Sequence, residues 1–103
     1  PKHTDGSYMA ITFDTTPLAL EHLPAALHPY DKTCRAQLVA ENINPEYHAI
    51  INEFKNLTGM SVILNTSFNL HGEPNVESPK DALHTLEDSG LTHLALGSFM
   101  IEK

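Results

Sequence analysis

The sequence is poor in cations, aromatics and cysteine, and each shortage excludes a class of function. Six lysines and arginines stand against thirteen aspartates and glutamates, for a formal charge of −7. Lys2, Lys32, Arg35, Lys55, Lys80 and Lys103 are scattered, with no two adjacent. Binding nucleic acid needs clustered cations that displace counterions from phosphates. No such cluster exists, so no nucleic-acid partner is expected. Cys34 is the only cysteine. That excludes an internal disulfide and a cysteine-based zinc site, and a reducing, cytoplasmic compartment is the expectation. No apolar run approaches the roughly 20 residues of a membrane span, so no membrane partner is expected either. Tryptophan is absent and aromatics make up 7%. The core must therefore come from Leu, Ile, Val and Ala.

What is present suits one small domain. The chain has 103 residues, 41% of them hydrophobic, enough for a single core. Its opening, Pro1-Lys2-His3-Thr4-Asp5-Gly6, lacks an initiator Met and reads as a cut into a longer polypeptide. Residues 1–103 are thus expected to be the C-terminal part of a larger protein.

Local patterns alternate between strand and helix. Tyr8 to Phe13 is rich in β-formers and predicts a strand. Asp14-Thr15-Thr16-Pro17 starts a short helix over Leu18 to Leu23, which Pro24 stops. Ala25 to Lys32 reads as a loop. Thr33 to Val39 predicts a second strand, with Cys34 inward and Arg35 on the opposite face. Asn44 to Thr58 is the clearest helix. Asn44 caps it, Pro45 opens it, and Tyr47, Ile50, Ile51, Phe54 and Leu57 form one apolar stripe. Gly59 fits its left-handed end. Ser61 to Leu64 predicts a strand buried on both faces. A polar loop follows to Glu77. Ser78 and Pro79 then open a helix that runs to about Ser89, with Gly90 ending it. Thr92 to Leu96 and Phe99 to Ile101 close the chain as strands around Gly97-Ser98. The fold class is therefore α/β in the broad sense, or α+β, a small mixed sheet with two main helices. An open sheet edge leaves room for two copies to pair as a homodimer.

The densest chemistry lies in Asn65-Thr66-Ser67-Phe68-Asn69, four hydrogen-bonding side chains in five residues. Buried unpaired, such groups cost roughly 1–3 kcal/mol each. They need partners, either their own backbone in a capped loop or a ligand. Ligands in α/β folds gather at strand C-termini, where this segment is expected. Arg35 offers a fork of donors suited to phosphate or carboxylate.

At these residues the sequence resembles a known family. Val62-Ile63-Leu64-Asn65-Thr66-Ser67-Phe68-Asn69-Leu70-His71-Gly72-Glu73-Pro74 is similar to the C-terminal signature of the O-carbamoyltransferases, which include nodulation protein U and the tobramycin and cephem carbamoyltransferases. The similarity extends over Ser7-Tyr8-Met9, His28, Thr33-Cys34-Arg35-Ala36-Gln37, Asn44-Pro45-Glu46-Tyr47-His48, Ser78-Pro79-Lys80-Asp81-Ala82-Leu83 and Leu96 to Lys103. It implies part of a YrdC-like domain. In that fold a Ser-x-Asn pair, here Ser67 and Asn69, contributes to a nucleotide and carbamoyl site. It implies ATP and carbamoyl phosphate as substrates that form carbamoyl-adenylate. A separate N-terminal domain, which carries the family's metal, then passes the carbamoyl group to a hydroxyl. Arg35, Asn65, Thr66, Ser67, Asn69 and His71 are the implied ligand-binding residues. His71 stands where family members often carry Arg, and the family's upstream basic residues lie outside this sequence. The chain alone is therefore expected to be inactive. The alternatives are a non-catalytic interaction module, or a relative of the threonylcarbamoyl-adenylate synthases, which carry a similar Thr-Ser-Ala-Asn turn.

Other residues carry less. The seven histidines, His3, His22, His28, His48, His71, His84 and His93, show no His-x-x-x-His pair, so no metal site is expected on this chain. Glu73 and Glu77 are the nearest acids to the signature, but Gly72-Glu73-Pro74 is equally a turn-shaping triplet.

Overall fold

The computed structural model describes residues 6–103. Lys2 and His3, counted above, lie outside the described residues. The chain divides into two units, the first ending at Leu64 and the second running over Asn65–Lys103.

In the first unit, helix α1 spans Pro17–His22. Thr16 caps it by accepting from the Ala19 N–H at 3.3 Å. Leu23 closes it on the Ala19 carbonyl, and Pro24, with no N–H to continue the ladder, opens a separate 3-10 turn over Pro24–Ala26. Helix α2, Pro45–Thr58, forms as its local signals dictate. The Asn44 side chain accepts from the Tyr47 N–H at 3.1 Å. Gly59 ends the helix at φ +80°, with its N–H on the Lys55 carbonyl at 2.7 Å. The apolar stripe is only partly covered. Tyr47, Ile51 and Phe54 are half-buried, but Ile50 is 57% and Leu57 84% exposed.

Three expected strands do not form in this unit. Tyr8–Phe13 and Thr33–Val39 meet at a single antiparallel bridge, Phe13 with Cys34, through N···O distances of 2.8 and 3.1 Å. The Leu38 N–H reaches the Gly6 carbonyl at 2.7 Å, and Gln37 Nε2 reaches the Ser7 carbonyl at 2.9 Å. The two segments therefore run side by side, but the turn around Met9 and Ala10 breaks the ladder between these contacts. Cys34 is half-buried rather than a core residue, and Arg35 is exposed. Ser61–Leu64 is neither a strand nor buried: Val62 is 41% and Leu64 63% exposed. None of these four residues makes a backbone hydrogen bond to another described residue. An apolar run supplies β-propensity, but a strand is a pairing, and no described neighbour pairs with this one.

The second unit is better closed. Helix α3 spans Pro79–Asp88. Ser78 and Asp81 cap it reciprocally. The Asp81 N–H donates to Ser78 Oγ at 3.2 Å, and the Ser78 N–H donates to the Asp81 carboxylate at 3.0 Å. The helix stops at Asp88, with Ser89 rather than Gly90 as its cap. Lys103 Nζ finishes the C-terminus by donating to the carbonyls of Leu86 at 3.1 Å, Ser89 at 3.0 Å and Glu87. A cation there meets both the orphan carbonyls and the negative end of the helix dipole.

Strands β1, His93–Leu96, and β2, Phe99–Glu102, form an antiparallel hairpin. Gly97, at φ +59°, makes the tight turn that joins them. Leu94 pairs with Ile101, which puts both on the face that packs toward α3. Ala82, Leu86 and Leu94 form the buried core, with Phe68, Val76, Leu96 and Ile101 packed around it. The fold class is thus α+β as expected, and the sheet among the described residues is this two-stranded hairpin.

Candidate functional site

The signature turn is built from the core outward. Phe68 anchors one end against the Ala82–Leu86–Leu94 cluster and Val76 anchors the other. The Val76 N–H closes the base on the Phe68 carbonyl at 2.9 Å. Inside the loop, the Glu73 N–H reaches the Leu70 carbonyl at 3.0 Å. Gly72 takes φ +87°, a value that disfavours any residue with a Cβ. The Asn69 side chain is the internal staple. Its Nδ2 donates to the Leu70 carbonyl at 3.0 Å and the Glu73 carbonyl at 2.9 Å.

This geometry sorts the expected site residues. Asn65, Thr66, Ser67, Asn69 and His71 share one short segment of the second unit, and Arg35 belongs to the first. Asn69 is half-buried, and both protons of its amide serve the turn. Asn65, Thr66, Ser67 and His71 are exposed. The hydroxyls of Thr66 and Ser67 have no hydrogen-bond partner among the described residues, and the Arg35 guanidinium has no ion pair there. Hydroxyl and guanidinium donors left uncommitted at the surface are what an anionic ligand uses.

A concavity of about 230 Å³ opens between the turn and α3, lined by Glu73, Glu77, Asp81, His84 and Thr85, among others. None of the six expected ligand residues lines it. Its carboxylates, Glu73, Glu77 and Asp81, would repel a phosphate. Hydrogen bonds from the Ser78 hydroxyl and backbone hold the Asp81 carboxyl below the usual carboxylate range. His84 sits between two acids, with Nδ1 2.9 Å from Asp88 and Nε2 3.6 Å from Glu73. The His84–Asp88 pair was readable from its i, i+4 spacing. The contact to Glu73 was not, because it depends on how the turn folds back. Among the described residues no group of three His, Cys, Asp or Glu could hold a metal ion. No described helix is long and apolar enough to cross a membrane.

Residues 2–103, nearly the whole chain, match the family model described as the carbamoyltransferase C-terminus. The chain belongs to this family. An uncharacterised protein of Methanocaldococcus jannaschii is 35% identical over 93% of the chain and 16% of its own length. Nodulation protein NolNO of Sinorhizobium fredii is 43% identical over 80% of the chain and 12% of its own length. The 3'-hydroxymethylcephem-O-carbamoyltransferase of Amycolatopsis lactamdurans is 30% identical over 65% of the chain and 13% of its own length. This carbamoyltransferase C-terminal domain therefore spans well under a fifth of each of these relatives.

Proposed function

We propose that this domain serves an O-carbamoyltransferase by contributing contacts to carbamoyl phosphate and ATP as carbamoyl-adenylate forms. An N-terminal, metal-containing domain of the same longer polypeptide then moves the carbamoyl group to a hydroxyl. The observation that carries the reading is the pair of exposed, uncommitted hydroxyls of Thr66 and Ser67 beside a turn pinned to the core through Phe68. The family match and the cephem carbamoyltransferase among the relatives support it.

Joining two anions calls for fixed donors and positive charge rather than a strong acid, base or nucleophile. Ser67 and Thr66 supply hydroxyl donors. Arg35 supplies charge. His71 adds a cation only when protonated. Asn69 acts mainly by shaping the turn, since its amide protons are committed to Leu70 and Glu73. A reducing, cytoplasmic setting suits the unpaired Cys34. The domain alone is expected to be inactive.

The same two Asn69 bonds favour a second reading, a turn that only caps the domain within a non-catalytic module. Calorimetric titration of the intact polypeptide with ATP and with carbamoyl phosphate separates the two. Binding should occur, and Ser67→Ala should weaken it about 10-fold, the scale of one hydrogen bond to a charged group. No heat with either ligand, or unchanged affinity in Ser67→Ala, sinks the site assignment.

A further inference from the structure

The first unit carries an open apolar groove of about 320 Å³, lined by Leu23, Phe54, Met60, Val62, Ile63 and Leu64 among others. His22 is the one ionisable residue of its lining, although the chain as a whole carries a formal charge of −7. A face cleared of carboxylates in so acidic a chain suits an apolar occupant. Val62, Ile63 and Leu64 belong to the run 61–64, whose backbone N–H and C=O groups pair with no other described backbone. Val and Ile favour a pleated, paired state. An unpaired run of this kind is a template for another strand. Together the groove and the run select the chemistry of the occupant. The groove takes apolar side chains, and the run takes backbone donors and acceptors. An extended segment offers both, whereas a helix has spent its backbone groups internally.

The longer polypeptide is a source of such a segment. In the relatives named above, more than four fifths of the sequence lies outside the matched stretch. What matches is the carbamoyltransferase C-terminus, so in them that remainder comes before it. A segment tethered on the same polypeptide meets the groove at an effective concentration of order mM, far above what a free partner at ordinary dilution provides. We propose that residues 61–64 are a docking strand. They pair with an extended apolar segment from the part of the longer polypeptide upstream of Pro1, and its side chains fill the groove. This docking rests on the longer polypeptide in the proposed function, not on its ligand site.

The intact polypeptide tests this in two ways, neither of which reads ligand binding. In the first, Leu64→p-benzoylphenylalanine places a photo-crosslinker on the run, at a position 63% exposed and open to a larger side chain. After irradiation, mass spectrometry should find the adduct within one molecule, on an apolar segment upstream of Pro1. Its yield should not change with protein concentration. An adduct between two molecules, with a yield that rises with concentration, identifies a second copy and overturns the proposal. The absence of any adduct outside residues 1–103 overturns it too. In the second, amide hydrogen exchange is followed in the unsubstituted polypeptide. A strand paired along one edge holds alternate amides. At least Ile63, or the pair Val62 and Leu64, should therefore exchange about 100-fold more slowly than an unstructured chain. Exchange at the unstructured rate at all three positions overturns the proposal.

Discussion

The two units contrast in what their helices have to pack against. The first holds a 14-residue helix with caps at both ends, yet α2 contains no buried residue. The second holds a shorter, 10-residue helix with Ala82, Thr85 and Leu86 all buried. Among the described residues, the three buried hydrophobic side chains, Ala82, Leu86 and Leu94, all belong to the second unit. In the first, Leu57, Ile43, Leu64 and Leu18 are between 61% and 84% exposed. Phe54, Met60, Ile63 and Leu64 line an open apolar groove of about 320 Å³. Helix formation and core formation are therefore separable here. Caps and prolines specify where α2 begins and ends, and they do so although no residue of α2 is fully buried among the described residues.

The largest expected effect breaks that contrast directly. Leu86→Ala should cost about 3 kcal/mol, because a buried leucine loses both its transfer energy and its packing. Leu57→Ala, at 84% exposure, should change stability by no more than about 0.5 kcal/mol. Urea titrations of the two variants check this. Equal losses would mean that the first unit buries its stripe after all.

The next effect lies inside the signature turn. Asn69→Ala removes two hydrogen bonds to backbone carbonyls and should destabilise the second unit by about 2 kcal/mol. Ser67→Ala removes an exposed hydroxyl with no described partner, so its melting curve should not move. A stability loss in Ser67→Ala would make both residues structural and remove the distinction between staple and ligand donor.

The sequence made some of this legible and not the rest, and the division follows the same contrast. Both long helices were readable because their signals are local: Asn44-Pro45 and Gly59 for α2, Ser78-Pro79-Lys80-Asp81 for α3. The terminal hairpin was readable because Gly97-Ser98 joins its strands directly. The three strands expected before Asn65 were not, because a strand depends on a partner distant in sequence. The runs at Tyr8, Thr33 and Ser61 carry the propensity without the pairing. In the turn, the density of polar groups marked the right segment. It could not show that Asn69 faces its own backbone while Ser67 and Thr66 face outward. Lys103 on the end of α3 was equally hidden, since its partners Leu86, Glu87 and Ser89 are brought to it by the hairpin.

The caps supply a smaller, matched pair of effects. Gly59→Ala places a Cβ on a residue at φ +80°, and Ser78→Ala removes the N-cap of α3; each should cost about 1 kcal/mol. Acid adds a second handle. Hydrogen bonds from Thr33 hold the Asp31 carboxyl below its ordinary 3.8, and bonds from Ser78 do the same for Asp81. A carboxyl lowered on folding stabilises the folded state above its unfolded value. That contribution is lost as pH falls through the lower, folded value. Both units should therefore lose stability below about pH 3.8, by a component that Asp31→Asn removes from one and Asp81→Asn from the other. Thermal melts across pH 2 to 5, run on each variant, measure the two components separately.

The smallest expected effect on stability is at Arg35. Its guanidinium is exposed and has no ion pair among the described residues. Arg35→Gln should therefore leave the melting temperature unchanged within error. If the first unit's contribution to the proposed reaction is charge, the same variant should weaken ATP and carbamoyl phosphate binding. The loss should shrink as salt is raised, because a screened cation has less to give. Ser67→Ala, a neutral change in the second unit, should weaken binding by an amount that salt barely alters. Two losses with the same salt dependence would contradict the proposed roles, charge for Arg35 and an oriented hydroxyl for Ser67. A loss confined to Ser67→Ala would leave the first unit without a part in ligand binding.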